Sequence, residues 1–133
     1  MLPYGVASLA QALLISVVDD DLSIREATTG LLEAHGYATA AFASAEEFLR
    51  SDLIDGTSCL LTDVRMPGLS GVELQRRLHH TGRRIPTIFM TAHAEEHMRA
   101  AALKGGALAF LCKPVSEERL ISCLQGHFGP AAV

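Results

Sequence analysis

At 133 residues, 49% hydrophobic and 20% charged, the chain is long enough for one domain with its own core and too apolar for a disordered segment. A net charge of −4 with a pI near 5.8 argues against a nucleic-acid surface, which needs clustered Lys and Arg. Three cysteines, Cys59, Cys112 and Cys123, are an odd count, and two fall inside predicted strands as small buried hydrophobes, which points to a reducing cytoplasm.

Residues 1–12 carry Pro3 and Gly5 and no clear period, and read as an N-terminal extension, either a loose arm or a short helix over 6–13. The apolar run over 2–14 has no basic flank and stops at Asp19-Asp20-Asp21, so neither secretion nor membrane insertion is expected. Residues 13–18 are nearly all apolar and β-branched, the pattern of a strand buried on both faces, and the three aspartates follow. Ile24, Ala27, Leu31 and Leu32 recur at helical spacing over 22–35, with Gly36 as the stop. Residues 37–42 form a second strand. Ser44 then caps a helix, with Glu47 completing a capping box and Phe48 and Leu49 on the buried side. The third strand, 58–62, ends at Asp63 and breaks into Met66-Pro67-Gly68.

A helix over 71–80 packs through Val72, Leu74 and Leu78. The fourth strand, 85–90, tolerates Pro86 near its start and is closed by Thr91. An Ala-rich helix over 94–103 stops at Gly105-Gly106, a fifth strand runs over 107–112, and Lys113-Pro114 turns into a helix over 116–124. Ser116 caps that helix and Leu120, Ile121 and Leu124 pack it. The domain therefore spans 13–125, with 126–133 as a tail or the start of a linker. Five repeats of strand then helix predict an α/β fold, a doubly wound five-stranded parallel sheet with helices on both faces.

Asp63 is the centre of the chemistry, because ligands of an open parallel sheet bind outside the carboxyl ends of its strands. Asp19, Asp20 and Asp21 reach a similar end. Two such charges about 4 Å apart repel by about 4 kcal/mol at an effective dielectric near 20, so a cation belongs among them. With Asp63 they suit Mg²⁺; the plainer alternative is that they cap the next helix, a role one of the three takes. Lys113 is either a simple salt-bridge partner or a fixed charge for a phosphoryl oxygen, and Thr91 either a helix cap or a hydroxyl donor to the same oxygen. Together these are the parts for phosphoryl transfer onto a carboxylate, which needs no separate base.

Four segments in order resemble a response-regulator receiver domain of CheY-like fold: Val17-Val18-Asp19-Asp20-Asp21, the stretch from Leu61-Thr62-Asp63 to Ser70-Gly71, Met90-Thr91-Ala92-His93, and Phe110-Leu111-Cys112-Lys113-Pro114. The wording around Asp63 and Thr91 is most similar to the FixJ-like branch, which commonly carries a separate helix-turn-helix output domain. The resemblance implies strand order 2-1-3-4-5, Asp63 as phosphoacceptor, and Asp19 and Asp20 as an acidic pair. It implies that Asp20, Asp63 and the Arg65 carbonyl hold Mg²⁺, that Thr91 and Phe110 are the switch pair, and that Lys113 contacts the phosphate. Taken alone, Phe110 reads as a core residue.

The implied partners are a sensor histidine kinase and a second copy, met through the 94–103 helix, the fifth strand and the last helix. The implied role is that of a cytoplasmic signalling phosphoacceptor that catalyses its own phosphorylation and slow dephosphorylation, serving transcription through an output domain. Arg65 and His93 flank the acceptor loop, where screening an acyl phosphate and facing solvent weigh equally. Leu22, Ala109 and Cys112 depart from the family pattern. The remaining histidines, His35, His79, His80, His97 and His127, lack ligand spacing and read as surface residues. A phosphohydrolase would need a second acid where Arg65 stands, and a mononucleotide binder would need a glycine-rich loop where the three aspartates stand.

Overall fold

The order of the strands decides which loops meet. In the computed structural model, which describes residues 13–92 and 96–130, β1 (Leu14–Val18), β2 (Ala38–Phe42), β3 (Cys59–Asp63), β4 (Thr87–Thr91) and β5 (Ala109–Cys112) form one parallel sheet in the order β2-β1-β3-β4-β5. Between them run α1 (Leu22–Ala34), α2 (Ala45–Arg50), α3 (Gly71–His80) and α4 (Glu96–Lys104), and α5 (Glu117–Phe128) follows β5. The predicted α/β fold and its strand order are those observed.

The apolar runs of β1, β3 and β4 lie in the middle of the sheet and are buried on both faces. One face packs Ile15, Val17, Leu61, Ile88 and Met90 under Leu32 of α1 and Leu120, Ile121 and Leu124 of α5. On the other, Leu60 and Val18 meet Phe48 of α2 and Leu74 and Leu78 of α3, while Phe89 meets Ala102 of α4. Each fully buried Leu, Ile or Phe contributes about 1.5–3 kcal/mol of transfer free energy, so both helix layers are held by their apolar sides.

Several boundaries differ from the sequence reading, each for a local reason. Tyr37 N–H returns to Leu32 O at 3.1 Å, so β2 starts at Ala38. Pro86 has no N–H for the ladder, and β4 begins after it and includes Thr91. Ala107 N–H closes the turn after α4 onto Ala102 O at 3.1 Å, which delays β5 to Ala109. The final helix passes Leu124 and runs to Phe128, whose ring packs on the core, before Gly129 ends it at φ 84°. Cys112 lies on an edge strand and is exposed, not a buried hydrophobe as expected. On α1 only Leu32 is fully covered; Ile24, Ala27 and Leu31 line an open groove of about 430 Å³ with Val115 and Leu120. The expectations for residues 1–12, and for the 94–95 start of the fourth helix, lie outside the described residues.

The register sets the site. Val18 pairs with Thr62, Asp63 with Met90, and Thr91 with Cys112. Asp19, Asp63, Thr91 and Lys113 therefore emerge at one end of the sheet, next to the β1–β3 junction where the strand order reverses.

Candidate functional site

Asp19 follows β1 directly and is fully buried, its N–H extending the ladder to Phe42 O at 3.1 Å. Its Oδ1 accepts the Asp21 N–H at 2.9 Å, and its Oδ2 accepts Lys113 Nζ at 2.7 Å. Asp63 is 8% exposed; its Oδ2 accepts the same Nζ at 2.8 Å and its Oδ1 accepts the Arg65 N–H at 3.3 Å. Lys113 is fixed behind this bridge by its own N–H, which donates to Thr91 O at 2.7 Å, and the peptide to Pro114 is cis.

Desolvation pushes the Asp63 carboxyl above its usual range; hydrogen bonding and charge from Lys113 oppose that shift, and the Asp19 charge adds to it. Burial also works against the Lys113 ammonium, yet its hydrogen bonds to Asp19 and Asp63 outweigh burial and hold its pKa above the ordinary lysine value. The ammonium is therefore charged throughout the neutral range, shared between two carboxylates.

The three consecutive aspartates divide their work. Asp21 caps α1, accepting the Ile24 N–H at 3.1 Å. Asp19 and Asp20 bring carboxylate oxygens within 4.8 Å of that of Asp63. Ionised, these three acids exceed Lys113 by two charges. An all-oxygen donor set with that excess, its Asp20 exposed, fits a hard divalent cation that keeps several waters. Arg65 is exposed in the same loop, two positions after Asp63, and its N–H is the one that Asp63 accepts.

Thr91 is buried and is the last residue of β4. Phe110 is half-buried on β5, its ring centroid 6.3 Å from that of Phe89. It packs in the α3–α4 layer, against the cluster of Val64, Val72, Phe89 and Ala102. His93 lies outside the described residues.

Sequence reasoning missed four supports. Arg25 on α1 donates to Asp19 O at 2.7 Å. Glu46 on α2 accepts the Leu69 N–H at 2.9 Å. Ser70 and Glu73 form a complete capping box that starts α3, legible as Ser-x-x-Glu. A Cβ on Gly71 would run into the Asp63 carbonyl oxygen, so the start of α3 rests directly on the end of β3.

Residues 15–125 match the family model for the response regulator receiver domain. Nodulation protein W of Bradyrhizobium diazoefficiens is 43% identical over 111 residues, covering 84% of this chain and 49% of that protein. The transcriptional regulatory protein FixJ of Azorhizobium caulinodans is 36% identical over 124 residues, 93% of this chain and 59% of its own length. A receiver protein structure from Pseudoalteromonas atlantica superposes with a TM-score of 0.79 at 29% identity, covering 85% of this chain and 94% of that one. The chain spans about half the length of curated relatives such as nodulation protein W and the Pseudomonas putida TodT proteins. Among the described residues, no helix is long and apolar enough to cross a membrane.

Proposed function

This chain belongs to the response regulator receiver domain family, whose members serve as phosphoacceptors in two-component signalling, and we propose that Asp63 is the residue that takes the phosphoryl group. The donor is a phosphohistidine on a sensor histidine kinase. An Asp63 carboxylate oxygen attacks phosphorus, the P–N bond breaks, and the electron pair returns to the imidazole. The observation that carries this reading is the Lys113 ammonium, 2.8 Å from Asp63 and 2.7 Å from Asp19. A cation so placed can pass from the carboxylate to a transferred phosphoryl oxygen with a small swing.

Domains of this family generally bind Mg²⁺ in an acidic pocket. Here Asp19, Asp20, Asp63 and the Arg65 carbonyl would hold it, and when bound it neutralises charge on the transferring oxygens. Asp63 attacks as the carboxylate, which needs no base, and the Lys113 hydrogen bond and charge favour that ionised form against the desolvation that opposes it. Thr91, at the end of the neighbouring strand, donates its hydroxyl to a phosphoryl oxygen, and Arg65 and His93 screen the acyl phosphate from water. That gives the domain its own phosphorylation and slow dephosphorylation activity.

Phosphorylation adds about −1.5 to −2 charge beside Lys113. Drawing Thr91 inward shifts the segment after β4 and lets Phe110 turn against Phe89, changing the surface of α4, β5 and α5 through which two copies pair. Moving a two-state surface from mostly inactive to mostly active takes about 5.5 kcal/mol of differential stabilisation, the order of several charge-assisted hydrogen bonds. The whole protein then controls transcription from the cytoplasm through an output domain.

The test is intact-mass analysis after incubation with acetyl phosphate and Mg²⁺. One phosphoryl adduct on the native chain that disappears in Asp63→Asn supports the reading. Turnover of the donor without any adduct would make the chain a phosphohydrolase instead.

A further inference from the structure

The loop from β3 to α3 must keep its shape for the site to work, because it carries both the Arg65 N–H that Asp63 accepts and the Arg65 carbonyl. Its base is closed twice: Val64 N–H donates to Met90 O at 3.1 Å, and Gly71 N–H donates to Val64 O at 2.9 Å. Its exit is closed by Ser70 N–H on Glu73 Oε1 at 3.0 Å, inside the cap of α3. The head of the loop, Pro67-Gly68-Leu69, is reached from outside by Glu46, 23 residues away on the first turn of α2.

Three observations make this contact a fitted one. Glu46 Oε2 accepts the Leu69 N–H at 2.9 Å. Gly68 has φ +80°, and a Cβ there would strike the Glu46 carboxylate, so the loop backbone lies directly on the acid. Beside it, Met66 and Leu69 pack on the layer of Ala45 and Phe48, which sets the distance between α2 and the loop. The neighbouring Glu47 has a different task, since its N–H donates to Ser44 Oγ at 3.0 Å and its carboxylate faces Ala43 N–H at 3.4 Å. The Leu69 N–H also holds the Glu46 carboxyl below the usual glutamate range, as expected for an acid kept ionised by a charge-assisted bond.

We propose that Glu46 is a positioning residue for the acceptor site: its carboxylate fastens the loop head so that the Arg65 carbonyl stays in place to join Asp20 and Asp63 around Mg²⁺. This rests on the receiver reading. Glu46 touches neither the metal nor the phosphoryl group, and acts by limiting the conformations of residues 65–69. Groups one step removed from a metal commonly change its affinity by about 10–100-fold when removed.

The experiment is a Mg²⁺ titration of the full 133-residue chain, followed by calorimetry and by backbone amide NMR, for the native protein, Glu46→Ala, Glu46→Asp and Glu46→Gln. The expected result is a Mg²⁺ Kd about 10-fold weaker in the Ala and Asp variants, with the Leu69 amide resonance displaced. Glu46→Gln, whose amide oxygen can accept the same N–H, stays within about 3-fold of the native Kd. Acetyl phosphate labelling of Glu46→Ala slows at low Mg²⁺ and recovers at saturating Mg²⁺, a split that general destabilisation would not produce. An unchanged Kd in folded Ala and Asp variants overturns the proposal, as does a Gln variant as impaired as Ala. If the native chain neither binds Mg²⁺ nor takes up phosphate, the receiver reading itself fails.

Discussion

Lys113 and Asp63 are 50 residues apart in the chain, yet the ammonium nitrogen of one lies 2.8 Å from a carboxylate oxygen of the other. Lys113 is 11% exposed and also serves Asp19, so removing it leaves two close carboxylates without their counter-charge. Leaving a largely buried charge unpaired costs about 3 kcal/mol. Lys113→Met should therefore lower unfolding stability by roughly that amount in EDTA, read by urea denaturation. Added Mg²⁺ should restore most of it, because a divalent cation among the same oxygens supplies the missing charge. Equal loss with and without Mg²⁺ would show that Lys113 stabilises by packing alone.

Much of this site could be read from the chain because its parts obey strong local rules. Asp19, Asp63, Thr91 and Lys113 each end an apolar run, and the end of a run in a parallel sheet has one place to go. The three aspartates sorted themselves by a rule also visible in sequence: the one next to the helix caps it. What stayed hidden depends on approach across elements that no periodicity encodes. Glu46 looked like any acid in a first helical turn, and its bond to Leu69 exists only because α2 packs beside the acceptor loop. Strand starts were misplaced wherever a backbone N–H was claimed by the preceding turn, as at Tyr37 and Ala107. Alternation of apolar residues cannot report such a competition.

The cap of α3 gives a pH dependence with a definite sign. The Ser70 N–H and hydroxyl hold the Glu73 carboxyl below the usual glutamate range. A depressed folded-state pKa contributes stability that is fully present above the unfolded value, about 4.3, and is lost as pH falls through the folded one. Thermal midpoints measured from pH 6 down to pH 3 should fall less steeply in Glu73→Gln than in the native chain. Parallel curves would remove this cap from the acid response.

Tyr37 offers the opposite case, a polar group whose loss should do no harm. Its ring is 4% exposed in the α1–α5 layer, and its hydroxyl has no hydrogen-bond partner among the described residues. Burial accordingly raises its pKa, with the nearby Cys59 adding to the shift. An unsatisfied buried hydroxyl costs about 1–3 kcal/mol, so Tyr37→Phe should leave stability unchanged or raise it by up to about 1 kcal/mol. A drop beyond about 1 kcal/mol in denaturant unfolding would mean the hydroxyl is satisfied in solution.

Gly71 joins the fold to the chemistry most directly. It opens α3, donates its N–H to Val64 O at 2.9 Å, and has no room for a side chain because the Asp63 carbonyl and the Phe89 ring lie against it. A methyl group here must move backbone at the end of β3 or the first turn of α3. Gly-to-Ala in a helix is ordinarily worth up to about 1 kcal/mol in favour of Ala. Overpacking against fixed backbone costs about 1–3 kcal/mol, so the clash prevails and Gly71→Ala should destabilise. Because the displaced atoms belong to Asp63 itself, Mg²⁺ affinity and acetyl phosphate labelling should decline together with stability. Gly30→Ala, on the open surface of α1 where a Cβ meets nothing within 4 Å, is the matched control and should raise stability without touching either site property. Site properties unchanged in a destabilised Gly71→Ala would show that the start of α3 can shift without carrying Asp63 with it.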